Sequence, residues 1–547
     1  MAAASAQPGG NTRRTVFVGI DFGTTFSGLS YAIENVPGPE TVLEWDDDYR
    51  RKFPSKVADS NGTILCGPMI PQNDQAAEWF KLALLHHDDL DREIRSSPLF
   101  TTHESFRCDL DLRADQLVAH LFRYMWTKLL GKLQDSNPKG TNVFFLTVAV
   151  PASWPQYAFT TIRKAIDDSG ISMHLQEPVT FVPEPEATIL GTISEHAILV
   201  SKDLSLELLE LNLQLGDIVL VCDCGGGTID LGGYEISVRN PLTMNECTPG
   251  ACKLNGAVKL DDRFIDLLDK KAQQLRTNRD FKSSQQEHFR RFARTYWELD
   301  MKRNFGSKQT RWKFEVPGSW LAKNAKAHSK NYPQLEFTNN ADVLEQYVLV
   351  AGGFGQNHYL QRIILEKVNQ ASEATGQQIQ TATFFPDISL TAVSRGAAQK
   401  CMLRHGSNSS LESSAVRVDG HMTRASYGIQ SSSSSHSEAI TYKWFGETLS
   451  SMRPQLFSLD SSAFRVTEGV DGNAILRLVV YSQKANARVQ SFCDVEWKTG
   501  VEYGTGAGSG AIQIQLLFDG FTMRIAIFYR GVRQSDEQVT INYINDD

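Results

Sequence analysis

The amino-acid sequence predicts an α/β region that contains a duplicated strand–turn–strand unit, followed by a smaller all-β region. Three observations support this fold class. An Asp-Gly-Thr pattern between two apolar runs occurs twice, at residues 16–33 and 218–236. Short apolar runs typical of buried strands alternate with amphipathic helical segments as far as about residue 404. Two Ser-rich segments follow, and after them the apolar residues recur with a period of two, which is typical of strands with one buried face.

The composition of the chain narrows the classes of protein to consider. Its 547 residues are too many for one hydrophobic core and predict about three or four domains or lobes. The net charge of −8 argues against a general nucleic-acid or anionic-membrane binder, because both functions need a positive field. No apolar run reaches the roughly 20 residues of a membrane span. The eight cysteines include no CxxC pair, which favours free thiols in a reducing compartment. We therefore expect a cytoplasmic or nuclear protein.

Four segments follow from the sequence pattern. Residues 1–14 lack an apolar signal-peptide core and predict a disordered start. Residues 15–404 carry the α/β pattern, and the Ser-rich residues 405–437 predict a linker. Residues 438–547 carry the β-rich pattern. Six runs in it are predicted to be strands: 439–445, 473–482, 487–497, 511–518, 521–529 and 538–544.

Each copy of the repeated pattern ends its first apolar run at an aspartate, Asp21 or Asp223, and a turn rich in Gly and Thr follows. Glycines let a backbone approach a ligand closely, and consecutive N–H groups in such a turn bind anions. A carboxylate at the mouth of the turn is a ligand for Mg²⁺ or for its waters. The alternative is a β-hairpin whose turn only reverses the chain, and it explains one copy better than two. The two turns therefore predict that opposite sides of a phosphate chain are held by these residues: Gly23, Thr24, Thr25, Gly225, Gly226, Gly227 and Thr228.

A third element lies near residue 350. An apolar run over residues 346–351 leads into Gly352 and Gly353, and a helical pattern follows. The two glycines allow a nucleoside to approach, and a helix N-terminus carries partial positive charge. On its own this pattern is common, but after the two phosphate turns it favours a nucleoside site.

These motifs, in this order, resemble those of the superfamily of sugar kinases, actin and heat-shock protein 70, and within it heat-shock protein 70. The matching stretches are VGIDFGTTFS at 18–27, VAVPASW at 148–154, FVPEPEATILGTI at 181–193, VCDCGGGTIDL at 221–231, VLVAGGFGQNHYLQ at 348–361 and FPDISLTAVSRGAAQ at 385–399. The resemblance implies a two-lobed, duplicated actin-like ATPase domain of the ribonuclease-H-like type over residues 15–404. The β-rich residues 438–547 resemble, less closely, the family's substrate-binding domain without its helical lid.

The resemblance also implies roles for individual residues in binding ATP or ADP with Mg²⁺. Asp21 and Asp223 would lie near the metal and act through its waters. The implied catalytic residues are Lys81, Glu184, Asp223 and Asp230. The implied nucleotide-binding residues are Asp21, Gly23, Thr24, Thr25, Phe26, Gly225, Gly226, Gly227, Thr228, Gly256, Lys302, Arg303, Gly352, Gly353 and Phe354.

The sequence departs from the heat-shock protein 70 pattern at three places. Phe26 stands where many relatives have Tyr, and residues 354–356 replace a Ser and an Arg that pack on adenine in the chaperones. The apolar and acidic linker of the chaperones is also missing. These differences affect the adenine pocket and the coupling between domains more than they affect the phosphate turns.

The function implied by the resemblance is a chaperone-like ATPase that couples its nucleotide state to the binding of unfolded peptides or client proteins. Co-chaperones would be further partners, and we expect a monomer or weak oligomer that binds no nucleic acid. Two alternatives stay open: a nucleotide-binding scaffold with negligible turnover, and a small-molecule kinase on the same fold. The β-rich C-terminal region disfavours the kinase, and it is also an unusual appendage for an actin-like polymer.

Overall fold

The structure is a computed structural model that describes most of the chain up to residue 274 and selected elements beyond it. The described residues are 13–201 except 47, 50, 72–74, 91, 139 and 153; 215–274 except 249, 254 and 255; 297; 311–315; 334–338; 352–375 except 356; 386–406; 416–422; 426–431; 441–445; 448–450; 455–459; 465–468; 474–483; 490–498; 512–518; 523–529; 532–534; and 539–543. The predicted disordered start lies outside this set up to residue 12.

The first lobe is built on a mixed sheet. Its strands are β1 Arg13–Asp21, β2 Phe26–Ile33, β3 Glu40–Thr41, β4 Glu44–Trp45, β5 Asp48–Tyr49, β6 Phe53–Pro54, β7 Val57–Ser60, β8 Thr63–Cys66, β9 Thr141–Val150 and β10 Thr180–Pro183. The main sheet has the order β10-β9-β1-β2-β3, and β6 also pairs with β2. β1 and β2 form an antiparallel hairpin, whereas β9 runs parallel to β1 and β10. The first copy of the repeated pattern is this hairpin.

Helices cover the first lobe's sheet. They are α1 Arg92–Arg95, α2 Pro98–Asp109, α3 Ala114–Ser136, α4 Gln156–Ser169 and α5 Glu184–Ser201, with short 3₁₀ turns at 67–69, 82–84, 87–89 and 171–174. Alternate side chains of β1 explain why both faces need cover. Val16 and Val18 pack in the cluster that includes Leu121 of α3, while Phe17 packs on the other face. The lobe is therefore an α/β layer structure, as the sequence predicts.

The second lobe begins with the second copy of the pattern. Its elements are β11 Ile218–Cys224, β12 Ile229–Arg239, β13 Leu242–Glu246, β14 Ala251–Lys253, α6 Val258–Gln274, β15 Arg311–Glu315, β16 Gln334–Thr338, α7 Gly352–Gly355, α8 His358–Thr375 and α9 Pro386–His405. β11 and β12 form an antiparallel hairpin in which Asp223 lies opposite Asp230. In the first hairpin, Asp21 lies opposite Gly28. The two hairpins thus repeat the same backbone arrangement with a different residue facing each aspartate.

Two long helices, α5 and α9, cross each other between the lobes' sheets with their backbones in close contact. A Cβ atom on Gly191 of α5 would overlap the carbonyl oxygen of Ala392, and one on Gly396 of α9 would overlap that of Ala187. α9 also packs on β1, where Gly19 allows the same close approach. Small residues at the crossing therefore set the position of α5, whose first residue is Glu184.

All of the described elements after α9 are strands. They are β17 Arg417–Met422, β18 Ser426–Ser431, β19 Thr441–Phe445, β20 Thr448–Ser450, β21 Gln455–Leu459, β22 Arg465–Glu468, β23 Ala474–Gln483, β24 Gln490–Lys498, β25 Ile512–Phe518, β26 Met523–Tyr529, β27 Val532–Arg533 and β28 Val539–Tyr543. Six of them coincide with the six period-two runs of the sequence. Apart from β17 and β20, these strands form two sheets. One has the order β19-β18-β23-β24-β28, with β22 also paired to β23, and the other has the order β21-β25-β26-β27.

The segment predicted as a Ser-rich linker contains structure. β17 and β18 both lie within residues 405–437, so regular structure resumes earlier than the Ser content indicates. β17 pairs in parallel with β13 and antiparallel with β20, and thus extends the second lobe's sheet to the order β11-β12-β13-β17-β20. The predicted division into domains at residue 437 stays a prediction.

Candidate phosphate-binding site

The turns of the two hairpins contact each other directly. A Cβ atom on Gly226 would overlap Oγ1 of Thr25, and one on Gly227 would overlap Oγ1 of Thr24. The chain therefore needs glycine at both positions for the turns to approach this closely. Residues that are about two hundred positions apart in the sequence meet at one place, as the repeated pattern predicts.

The first turn is braced by serine side chains. The Gly23 N–H donates to Ser27 Oγ at 3.2 Å, and Ser55 Oγ donates to the Gly23 carbonyl oxygen at 2.8 Å. The two serine hydroxyl oxygens lie 2.8 Å apart, and the Ser55 N–H donates to the carbonyl of Thr25 at 2.8 Å. Ser55 follows β6, which pairs with the start of β2 at Phe26. The turn is thus held both by Ser27 within its own hairpin and by Ser55 outside it.

The second turn is braced by the backbone at the start of α6. The N–H groups of Gly256 and Val258 donate to the carbonyls of Gly227 and Gly226 at 3.0 and 2.8 Å. The Gly225 N–H donates to the carbonyl of Thr228 at 2.9 Å, which closes the turn. A Cβ atom on Gly256 would overlap the carbonyl oxygen of Gly226. Gly256 therefore lies at the turn, where the resemblance places it.

Beside the two turns, Lys81 forms a buried ion pair with Glu184. Lys81 Nζ lies 2.7 Å from Glu184 Oε1, and the two side chains are 2% and 8% exposed. The lysine ammonium lies between the rings of Phe22 and Trp154, at 5.6 and 5.4 Å from their centroids. A buried ammonium of this kind is held in place rather than solvated.

Four carboxylates share this buried region: Asp21, Glu184, Asp223 and Asp230. Burial, together with the fields of the other three carboxylates, raises the pKa of Glu184 to about 8 against the opposing field of Lys81. Burial likewise raises the pKa of Asp223 to about 7, against the opposing field of Lys52. Such pKa values show that adding further negative charge here is costly and that a cation would be stabilised.

Asp230 is fixed by neighbouring elements. Its Oδ1 accepts a hydrogen bond from the Ala152 N–H at 3.1 Å, just after β9. Burial raises the pKa of Asp230, while Lys81 and hydrogen bonds from Thr228, Ala152 and Cys252 oppose the shift. Cys252 is opposite Asp230 in the β12–β14 pairing. Asp230 thus links the second hairpin to the first lobe.

Lys52 is a charged residue of this region that the sequence reasoning missed. Its Nζ lies 2.5 Å from Asp21 Oδ2. Burial lowers the pKa of the Lys52 ammonium, but the fields of Asp21, Asp223 and Glu184 outweigh it, so that the pKa is raised. Nothing in the local sequence around Lys52 predicts this contact, because it depends on the pairing of β6 with β2.

The carboxylates of this region fit a divalent cation that keeps its waters better than one that they would ligate directly. Asp223 Oδ1 and Asp230 Oδ2 are buried and accept no hydrogen bond in the part of the chain that the structure describes. Four carboxylates and two ammonium groups leave a formal charge of −2 when all are ionised. Within the described residues, no group of three or more His, Cys, Asp or Glu side chains converges to hold an ion directly. Asp21 and Asp223 therefore fit Mg²⁺ through its waters.

The predicted adenosine side is described only in part. Gly352 has a φ of +79°, and a Cβ atom there would overlap Oδ1 of Asp223, so glycine is required. Gly353 lies beside it, and Phe354 packs against the cluster of Cys224, Leu360 and Ile364. Gly352 and Gly353 begin the short helix α7, and the longer α8 follows from His358, so the predicted helix after the two glycines is present. Lys302, Arg303 and the apolar run 346–351 lie outside the described residues.

Comparison with known proteins gives no family assignment. No family model matches the chain, and no curated protein matches it. Solved structures with some similarity include a MamK double helical filament, at 13% identity over 71% of this chain and 98% of the other, with a TM-score of 0.35. Another is the ethanolamine utilization protein EutJ from Carboxydothermus hydrogenoformans, at 14% identity over 70% and 89%, with a TM-score of 0.25. A third is an archaeal actin homolog, at 11% identity over 72% and 99%, with a TM-score of 0.29. At TM-scores this low, a shared overall fold does not follow.

One further observation concerns membranes. Among the described helices, none combines the length and the apolar character that crossing a bilayer requires.

Proposed function

We propose that the chain binds ATP or ADP with Mg²⁺ where its two hairpin turns meet and hydrolyses ATP there, as an actin-like ATPase of the heat-shock protein 70 superfamily. The observation that carries the proposal is the direct contact of the two Gly-Thr turns, Thr24 and Thr25 against Gly226 and Gly227, beside a buried set of carboxylates. A sequence pattern that only reverses the chain does not require two distant copies to meet.

The proposed roles follow from the positions of the side chains. The N–H groups and threonine hydroxyls of the two turns would bind the phosphate oxygens. Asp21 and Asp223 would hold Mg²⁺ through its waters, and the ion would offset the charge of the phosphates. Lys81, buried and held by Glu184, would stabilise the charge that develops on the phosphoryl group. Glu184 and Asp230 would orient the attacking water.

A second proposal concerns the use of the nucleotide. We propose that the β-rich region binds unfolded peptides or client proteins and that nucleotide changes this binding, with the chain acting as a monomer or weak oligomer. Its support is that β20, within residues 438–547, pairs with β17, which itself pairs with β13 of the second lobe and so connects the β-rich region to the nucleotide-binding lobe. The buried carboxylate of Glu186 on α5, two residues after Glu184, adds to this tie. Glu186 Oε1 lies 2.6 Å from Lys400 Nζ of α9, and its Oε2 lies 3.6 Å from His421 Nδ1 of β17.

Single-turnover hydrolysis of ATP tests the first proposal. The wild type should hydrolyse ATP in the presence of Mg²⁺, and Asp223→Ala should lower the rate by about a hundredfold or more, in the range of lost electrostatic stabilisation at such sites. Absence of hydrolysis in the wild type, with nucleotide bound, would leave the scaffold with negligible turnover as the correct function.

The same assay with added ligands tests the second proposal. An unfolded peptide should change the wild-type hydrolysis rate and should bind with an affinity that depends on ATP. Phosphorylation of a sugar instead would identify a small-molecule kinase. Sedimentation of the chain with ATP but not without it would identify a polymer.

A further inference from the structure

Lys52 reaches the proposed nucleotide site across the first hairpin. Its stem passes over Gly28, where a Cβ atom would lie 3.2 Å from the Lys52 Cγ. Gly28 is directly opposite Asp21 in the β1–β2 pairing, so the glycine leaves the path open to that carboxylate. The geometry therefore directs the Lys52 ammonium to the mouth of the first turn.

The residue after Lys52 anchors this arrangement. Phe53 is fully buried and pairs with Ser27 at the start of β2. Its ring packs 4.4 Å from that of Trp45 and 5.3 Å from that of Tyr124, measured between centroids. Because Phe53 is fixed by the core, the backbone of Lys52 is fixed as well, and only its side chain is free to change partner.

The charges around Lys52 indicate what that partner can be. Its Nζ contacts Asp21 Oδ2 at 2.5 Å, and Asp223 and Glu184 act on it electrostatically at longer range. Asp21 is also one of the two carboxylates that fit a hydrated Mg²⁺. The ammonium and a divalent cation therefore share one carboxylate and compete for it.

We propose that Lys52 is a phosphate-binding cation of this site, which leaves Asp21 and pairs with the nucleotide's phosphates when Mg²⁺ takes its place at Asp21. This inference rests on the proposed nucleotide site. It goes beyond the site residues that the sequence indicates, since Lys52 is not one of them and, of the two lysines they include, Lys81 alone belongs to the part of the chain that the structure describes. The exchange keeps every charge paired, because Mg²⁺ replaces the ammonium on the carboxylate and the ammonium gains a phosphate oxygen.

Two measurable consequences follow. Lys52→Met removes one cation from the phosphates, so it should weaken binding of ADP at saturating Mg²⁺ by about tenfold or more, in the range of a lost charge-assisted hydrogen bond. The same change leaves Asp21 without its competing ammonium, so the Mg²⁺ concentration that gives half-maximal enhancement of ADP binding should fall. Lys52→Arg keeps the charge and should stay close to the wild type in both quantities.

The experiment is a titration of the full chain with a fluorescent ADP analogue, in EDTA and at a series of Mg²⁺ concentrations. Lys56→Met is the matched control, since Lys56 pairs with Glu78 at 3.0 Å and is more exposed than Lys52. Thermal unfolding of each variant without nucleotide checks that the fold is intact, and Lys52→Arg keeps the test valid if Lys52→Met unfolds.

The outcomes separate this inference from the function on which it rests. If the wild type binds the analogue with Mg²⁺ but Lys52→Met behaves as Lys56→Met does, the nucleotide site stands and the role of Lys52 is wrong. Equal loss of binding in Lys52→Arg and Lys52→Met, with both folded, would show that the shape of the lysine and not its charge matters, and would also overturn the inference. If the wild type binds no nucleotide at all, the proposed function and this inference fail together.

Discussion

The two hairpins share one sequence pattern, but the negative charges of their aspartates are balanced differently. Asp21 of the first hairpin has a lysine partner at 2.5 Å, whereas Asp223 Oδ1 of the second accepts no hydrogen bond among the described residues. Burial raises the pKa of Asp223 to about 7. The aspartate of the first hairpin thus has a counter-charge from Lys52, outside the hairpin, and the second hairpin leaves a buried carboxylate that a bound cation would stabilise.

The two turns are also supported by different means. Two side chains, Ser27 within the hairpin and Ser55 just after β6, hold the first turn. Backbone N–H groups at the start of α6 hold the second. A change of side chain should therefore disturb the first turn more readily, while the second should respond to changes that alter the backbone spacing.

Among the substitutions that test this comparison of the two hairpins, Gly227→Ala should have the largest effect. Its methyl group would overlap Thr24, a β-branched side chain with little freedom to move aside. We expect the two turns to separate and nucleotide affinity to fall by about a hundredfold, measured by titration with a fluorescent ADP analogue. Gly131→Ala is the control, because nothing lies within 4 Å of that position in α3. Unchanged affinity in Gly227→Ala would show that contact between the turns is not needed.

The next effect should come from breaking the buried pair that lies beside both hairpins. Lys81→Met leaves Glu184 buried without its cation, and we expect the free energy of unfolding to fall by about 3–5 kcal/mol. The double change Lys81→Met with Glu184→Gln should recover part of this loss. Urea denaturation measures both. Lys56→Met, at a more exposed pair, should cost less than about 1 kcal/mol, and an equal cost at the two lysines would contradict the burial argument.

The smallest effect should come from the brace of the first turn alone. Ser55→Ala removes the hydrogen bond to the Gly23 carbonyl and the contact with Ser27, and we expect a loss of about 1–3 kcal/mol in the free energy of unfolding. Nucleotide affinity should fall only modestly. A loss of affinity as large as that of Gly227→Ala would show that the two turns depend equally on side chains, against the difference described above.

The parts of the site that the sequence predicts are local in the chain. Each turn is encoded by a strand end, an aspartate and adjacent glycines and threonines, so its chemistry can be recognised within about ten residues. The six C-terminal runs are recognised in the same way, because strand alternation is also a local property. The close crossing of α5 and α9 follows less directly, since small residues such as Gly191 and Gly396 have many uses.

Lys52 and Glu186 could not be predicted because their partners are distant. Lys52 reaches Asp21 only because β6 pairs with β2, and the sequence around it is an ordinary basic run. Glu186 lies two residues from Glu184, yet its contacts are on α9 and β17. Ion pairs between elements depend on tertiary geometry that periodicity does not encode. At the Ser-rich segment the composition predicts a linker, whereas the structure has β17 and β18 there.

The central claim is that the turns of the two hairpins together hold one nucleotide at the place where they meet. Isothermal titration of the full chain with ADP and Mg²⁺ tests it most directly when the wild type is compared with Asp21→Ala and Asp223→Ala. We predict one nucleotide per wild-type chain and weaker binding in both variants, with the larger loss in Asp223→Ala because Asp21→Ala leaves Lys52 available to the phosphates. Absence of binding in the wild type, or binding that neither change affects, would contradict the claim.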